Sequence, residues 1–317
     1  LSTVHCPLST VHCPLSTVHC SLSLMSNEIT GQTLYLVGTP IGNLGDMTMR
    51  GLEILKGVET IAAEDTRHTG KLLHHFQIKT PQISYHQHNE QQRIPELISQ
   101  LQSGKSIALV TDAGMPGISD PGYLLVSACV AAGIRVIPIP GVTAVITAVS
   151  ASGLPSDRFV FEGFLPAKGQ ERRDRLESVA GDARTLVFYE SPHRLRQTLA
   201  DFAETFGIDR QIVLGRELTK LHEEFWRGDI GAAIEHYTQV EPQGEYAIVI
   251  AGAHVSHPTL SDEAIDRALI ELMLAGTSRS QASRIVGEQI SQSRRYVYQL
   301  ALAIDLDAAR SKASIET

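Results

Sequence analysis

The sequence predicts an α/β protein: two successive α/β blocks followed by a small all-helical tail. Three observations predict it. From residue 33 onward, short β-rich runs alternate with helical segments; after the turn-rich stretch ASGLPSDR (151–158) the alternation starts again; and beyond about residue 260 the β-rich runs stop. Alternation with short connections implies a mostly parallel sheet wrapped by helices. A chain of 317 residues also exceeds what one small core organises. With 43% hydrophobic and 20% charged residues, the composition is that of a globular protein. No apolar run approaches the ~20 residues that a membrane span needs. The formal net charge of −8 argues against a generic nucleic-acid coat but leaves room for a local basic patch. Cys6, Cys13 and Cys20 lie at the extreme N-terminus and only Cys129 in the body. Neither a disulfide framework nor a cysteine zinc site is expected, and a reducing cytosol is the expected compartment.

Residues 1–24 stand apart. LSTVHCP occurs twice and a third copy reads LSTVHCS. Pro7 and Pro14 break any helix, so the seven-residue period is no coiled coil. The unit can be encoded by the heptanucleotide CTGTCCA in tandem, which returns to frame after seven codons. The segment is read as translated repeat DNA, disordered, upstream of a start at Met25. It lacks the basic n-region and apolar core of a secretory leader.

In the first block, 25–152, the strand candidates are TLYLVG, TIAAED, SIALVT and IRVIPI, with helices over MTMRGLEILKG, IPELISQLQSG and GYLLVSACVAAG. Ligands of such sheets collect beyond the carboxyl ends of the strands. The segments leaving those ends, GTPIGNLGD, EDTRHTG, TDAGMPGISDPG and PGVTAV, are rich in glycine, proline, threonine or aspartate. The second block, 153–253, offers FVFEGF, TLVFYE, QIVLGREL and YAIVIAG as strands, with helices near 170–179, 194–206 and 229–238. HVSHPTLSD is a polar connector. The tail, 260–317, carries three helical segments and Arg279, Arg284, Arg294 and Arg295, which suit either a helix-turn-helix or a plain packing bundle.

Gly38, Gly42 and Gly45 follow the first strand without the G-x-G-x-x-G spacing, so the dinucleotide fingerprint fails. The turn either serves a tight βα connection or lets a ligand approach the backbone. Thr48 is an expected N-cap. In TDAGMPGISDPG, Gly114 and Gly117 permit positive φ, while Pro116 and Pro121 fix it near −65°. Asp120 before Pro121 is expected to be an N-cap ahead of the first helical residue. Asp112, at a strand end, suits hydrogen bonds from a ribose, an amine or backbone amides.

VGTPIGNLGDMT, AEDTRHT, SIALVTDAGMPGISDPG, PGVTAVITAVSASGLP, FEGFLP, YESPHR and RELTKLHEE together resemble the tetrapyrrole-methylase-fold family of S-adenosylmethionine methyltransferases. They are most like the branch that 2′-O-methylates a cytidine ribose of small-subunit (16S) ribosomal RNA. The match runs in order from about residue 33 to 252, and the tail resembles that branch's C-terminal domain. The resemblance implies two α/β domains with S-adenosylmethionine in the cleft between them, held largely by backbone. Gly38, Thr39, Pro40 and Gly42 would line one side, and Asp112, Ala113, Gly114, Pro116, Gly117 and Ile118 would face the methionine part. Thr143 and Ala144 would sit near the adenosine, with Tyr189 and Ala247 of the second domain on the adenine side. Ribosomal RNA or the small subunit is the implied partner, and a homodimer the implied assembly.

Methyl transfer to a hydroxyl needs alignment and a base. The strand-end candidates are Glu64, Asp65, Asp120 and Glu190. Asp65 and Arg67 either hold a phosphate or form an ordinary surface ion pair. In YESPHR, Ser191 and Pro192 suit an N-cap and first helical position. Arg194 in the first turn opposes the helix dipole, which points to an anion such as RNA phosphate. KGQERRDR (168–175) is either a solvated helix face or a salt-sensitive RNA contact. RELTKLHEE is assigned no chemistry. His68, His74, His75, His86 and His88 lack the spacing of a metal motif, and no metal is expected. Three functions remain open: an RNA ribose methyltransferase, a same-fold methyltransferase acting on a small molecule such as a tetrapyrrole, and a non-catalytic nucleic-acid-binding protein. The basic stretch and arginine-bearing tail favour the first.

Overall fold

The computed structural model describes residues 28–253, 261–290 and 294–306. The repeat at 1–24 and most of the connector HVSHPTLSD lie outside the described residues. The chain divides into two units. One runs to Ala148 and includes Glu217–Glu223; the other holds Val149–Arg216 and the residues from Glu224 onward.

The first unit is a three-layer α/β/α structure. Its strands are β1 (Thr33–Val37), β2 (Thr60–Ala63), β3 (Gln82–Ser84), β4 (Ser106–Val110) and β5 (Arg135–Ile139). They form one sheet in the order β3-β2-β4-β1-β5, parallel throughout. Such strands are apolar on both faces because helices cover both. In β4, Ile107 and Leu109 point into one core with Leu34, Leu97, Leu101 and Leu125, whereas Ala108 and Val110 point into the other with Tyr35, Val37, Ile54 and Leu73. The helices are α1 (Met49–Gly57), α2 (Thr66–His75), α3 (Glu90–Gln102), α4 (Tyr123–Ala131) and, continuing past Ala148, α5 (Ala144–Ser152). Thr48 caps α1 by accepting from the Gly51 amide, as its position before the apolar run predicts. EDTRHTG, expected as a loop, is instead the start of α2: Asp65 caps it through the Arg67 amide.

In the second unit β6 (Phe159–Phe164), β7 (Thr185–Glu190), β8 (Gln211–Arg216), β9 (Glu224–Asp229) and β10 (Tyr246–Ile250) form a sheet in the order β6-β7-β10-β8-β9. Only β6 and β7 run parallel; the remaining pairs are antiparallel. Helices α6 (Gln170–Val179), α7 (Pro192–Phe206) and α8 (Ile230–Gln239) bury Leu176, Leu195, Leu199, Phe202, Ile230 and Tyr237 against Leu186, Phe188, Leu214 and Ile248. The tail is helical, as expected: α9 (Asp262–Leu274), α10 (Arg279–Ile290) and α11 (Arg294–Ala303) pack around Ile265, Leu269, Val286, Val297 and Ala301.

Candidate active site

Because β1, β2, β4 and β5 are parallel, the segments after them leave from the same edge of the first sheet. They are knitted together by main chain. Thr39 and Gly114 exchange both backbone hydrogen bonds, 2.9 and 3.0 Å, and the Thr39 hydroxyl donates to the Thr111 carbonyl at 3.0 Å. Gly38 lies so close to Gly141 that a Cβ on it would stand 2.7 Å from the Gly141 Cα. Gly114 and Gly117 both hold φ of +82°, which an L side chain rarely adopts. Pro116 is buried, Pro40 and Gly117 half-buried, Ala113 and Ile118 exposed. Gly42 is exposed and sits against Thr219 and Lys220. Thr143 opens α5, its hydroxyl accepting from the Ile146 amide, with Ala144 as the first helical residue. The result is an edge tied together by main-chain contacts.

Carboxylates gather at the same edge. Asp112 accepts from the Asp65 amide at 3.2 Å, and its own amide donates to Glu64 Oε2 at 3.4 Å. Burial pushes the Glu64 carboxyl up, against a lowering hydrogen bond from the Asp112 amide, and the Asp112 charge adds to the rise. Asp120 is pushed up to about 7, first by burial and then by the charges of Glu64 and Asp112. Asp120 is not the N-cap that Asp-Pro predicts. The loop folds back so that the Gly117 amide donates to the Pro121 carbonyl, and α4 starts two residues later, behind Gly122 at φ 147°. Asp65 has a different character: the Arg67 side chain and amide hold it well below the usual carboxylate range. The Arg67 side chain is 89% exposed, so the pair is a surface ion pair on a helix cap. An acid so strong is a poor proton acceptor near neutrality.

In the second unit Tyr189 and Ala247 oppose each other across β7 and β10. Glu190, expected as a strand-end base, is buried and engaged: it accepts from the Ser191 amide at 2.8 Å and the Thr198 hydroxyl at 2.6 Å, and pairs with Arg194 at 3.4 Å. Arg194, expected to await an anion, instead donates to the carbonyls of Leu165 and Pro166 at 2.7 and 3.2 Å. A carboxylate and two carbonyls already answer its charge. The run KGQERRDR is not uniformly solvated either. Arg172 is buried, bonded to Asp201, Thr198 and the Pro166 carbonyl, and Arg175 pairs with Glu162; Lys168 and Arg173 face solvent. A groove of about 570 Å³ runs between α6 and α7, and none of the expected cofactor residues lines it. In the tail Arg279 donates to the Ile304 carbonyl, while Arg284 and Arg295 are exposed.

Sequence reasoning passed over two features. Phe164 is 54% exposed beside Tyr189, and the buried pair Arg172–Asp201 braces α6 to α7. The signal for the first was Gly163, which interrupts the alternation of FVFEGF. Nothing in a charge-rich run marks which arginine turns inward. Among the described residues no helix is long and apolar enough to cross a membrane.

Comparison with known proteins places these features in a lineage. The family model described as Tetrapyrrole (Corrin/Porphyrin) Methylases matches residues 33–234. A protein of Synechocystis sp. named Ribosomal RNA small subunit methyltransferase I is 56% identical over 86% of this chain and 99% of its own length. A protein of the same name from Escherichia coli O157:H7 is 46% identical over 85% of this chain and 94% of its own. Among solved structures, uroporphyrin-III C-methyltransferase of Thermus thermophilus, complexed with S-adenosyl homocysteine, superposes with a TM-score of 0.50 at 16% identity. It covers 69% of this chain and 97% of that one.

Proposed function

The chain belongs to the tetrapyrrole (corrin/porphyrin) methylase family, and from that premise we propose that it methylates the ribose 2′-hydroxyl of a cytidine in small-subunit ribosomal RNA. The observation that carries the proposal is the 56% identity, over 86% of this chain and 99% of the relative, to a protein named Ribosomal RNA small subunit methyltransferase I. The tetrapyrrole substrate of the structural neighbour is not carried over, since a likeness at 16% identity speaks to fold. S-adenosylmethionine is the methyl donor, and when bound it supplies a methyl group on a sulfonium that departs as a thioether.

In support of this reading, the Gly38–Gly141 approach and the Thr39–Gly114 bridge hold the strand-end segments together around the Asp112 carboxylate, which suits hydrogen bonds from a polar ligand. Gly38, Thr39, Pro40 and Gly42, the Asp112–Ile118 loop, Thr143 and Ala144 are the residues we assign to it. Alignment in a rigid edge is worth ~7–11 kcal/mol toward an in-line displacement. Asp120 is the proton acceptor. Its carboxyl, raised to about 7, is half ionised near neutrality and is basic enough to take the hydroxyl proton as the new C–O bond forms. Burial first, and then the charges of Glu64 and Asp112, keep it so. Arg284 and Arg295 of the tail, with Lys168 and Arg173, are the cations we assign to RNA phosphates.

The test is methylation of unmodified small subunits and of naked 16S RNA with labelled S-adenosylmethionine, followed by nucleoside mass spectrometry. The expected product is 2′-O-methylcytidine; label on a base, or none, overturns the proposal. The same reading places the protein in the cytoplasm as a homodimer, for which light scattering should return twice the mass of the chain.

A further inference from the structure

We propose that Phe164 is a stacking platform for a nucleobase of the RNA substrate, a specificity determinant that rests on the function proposed above. The argument begins in the register of β6 against β7. Phe161 opposes Val187, Gly163 opposes Phe188 and Phe164 opposes Tyr189, so one extra residue is inserted into β6 between Phe161 and Gly163. Gly163 takes φ of +65° there. Without the bulge, Phe161 and Phe164 would point to opposite faces, because side chains alternate along a strand. With it, both fall on the Tyr189 face. The rings agree with this geometry: Phe161 and Tyr189 have centroids 4.9 Å apart, Phe164 and Tyr189 5.5 Å. Phe164 is the outer member and is 54% exposed.

A large exposed aromatic is not by itself a site. What singles this one out is how its backbone is held. The two residues after it, Leu165 and Pro166, have their carbonyls clasped by Arg194, and Arg172 donates a further bond to the Pro166 carbonyl. Both arginines are anchored in turn, Arg172 by Asp201 and Thr198, Arg194 by Glu190, and Thr198 closes the circuit onto Glu190 at 2.6 Å. A buried, satisfied polar network of this kind fixes local conformation. Here it fixes the segment that leaves β6 directly behind Phe164; Lys168 in that segment and Arg173 in α6 face solvent, as do the acids Glu171 and Asp174 of the same helix. An exposed aromatic ring held on a fixed backbone suits single-stranded nucleic acid, where bases stack on aromatic side chains and nearby cations take phosphates.

Phe164→Ala and Phe164→Trp in the full chain test this. Filter binding of a naked 16S RNA transcript, calorimetry with S-adenosylmethionine and light scattering are run on each. Phe164→Ala is expected to weaken RNA binding by roughly 5- to 100-fold, with cofactor affinity and mass unchanged; Phe164→Trp restores binding. Unchanged RNA affinity overturns the assignment. So does a loss of cofactor affinity, which would give the ring to the donor's adenine, and so does a change in mass, which would give it to a second copy of the chain. A wild-type protein that binds the transcript but methylates nothing would sink the proposed reaction and leave Phe164 to be judged on the binding ratio. A wild-type protein that does not bind the transcript overturns the Phe164 assignment, while the proposed reaction stands or falls on methylation of small subunits.

Discussion

At the residue scale Asp120 is the proposed proton acceptor. Its carboxyl is raised to about 7, by burial first and by the Glu64 and Asp112 charges next, so the folded protein holds that proton more tightly than the unfolded chain does. The sign follows from linkage: between about pH 4 and 7 the folded state binds more protons at this group than the unfolded state, and stability falls as pH rises through that window. Asp120→Asn removes the dependence. The melting temperature of the variant minus that of wild type should climb between about pH 4 and 7 and then level off; a flat difference in thermal scans would mean that the carboxyl is not raised. Methyl transfer should fall by ~10²–10⁴-fold in the same variant. Asp112→Ala should weaken S-adenosylmethionine binding by about one to two orders of magnitude, on the scale of hydrogen bonds to a charged group. It should also move the rising limb of the pH–rate profile to lower pH, since one of the charges acting on Asp120 is gone. The aspartates at strand ends could be read from the sequence, but their roles could not. The Asp65–Arg67 ion pair is one of the two readings their spacing allows, whereas only the fold puts two carboxylates beside Asp120.

Among the elements, close approach of main chains decides the strand-end edge. A Cβ on Gly38 meets backbone atoms of Gly141, which cannot swing aside as a flexible side chain would. Gly38→Ala should therefore cost about 1–3 kcal/mol in denaturant unfolding, as overpacking does, and should reduce cofactor affinity in parallel. In the second sheet Thr198 bridges Glu190 and Arg172. Thr198→Val leaves a buried carboxylate oxygen without a donor, an expected destabilisation of about 1–3 kcal/mol. The elements that sequence reading found are those with a strong apolar period: β1, β2, β4 and β5 of the first sheet, β6, β7, β8 and β10 of the second, and the helices other than α2 and α5, whose starts were read as loops. It also missed β3, three residues with none fully buried, and β9, whose EFWRGD sets two adjacent aromatics between charged residues at the edge of its sheet. Edge strands are half solvated, so their pattern carries little of the signal that burial writes into central ones.

For the molecule as a whole the formal charge is −8, so attraction to RNA must come from local cations rather than from the net field. Arg284 and Arg295 face solvent on adjacent tail helices. Replacing both with glutamate should weaken RNA binding across sequences and reduce the slope of log K against log salt by about 1 for each phosphate no longer neutralised, with cofactor affinity untouched; an unchanged slope would return the tail to a plain packing bundle. The course of the chain between β8 and β9 bears on how any such study is designed. Glu217–Glu223 belongs to the first unit although the strands on either side belong to the second, and Lys220 lies over Gly42. Glu217 and Thr219 hold left-handed backbone angles there, φ 50° and 67°, which a free peptide would not keep. Protease or gene scissors applied at Ala148 would thus release a torso without its clasp, and a synthetic heptapeptide would be a poor replacement.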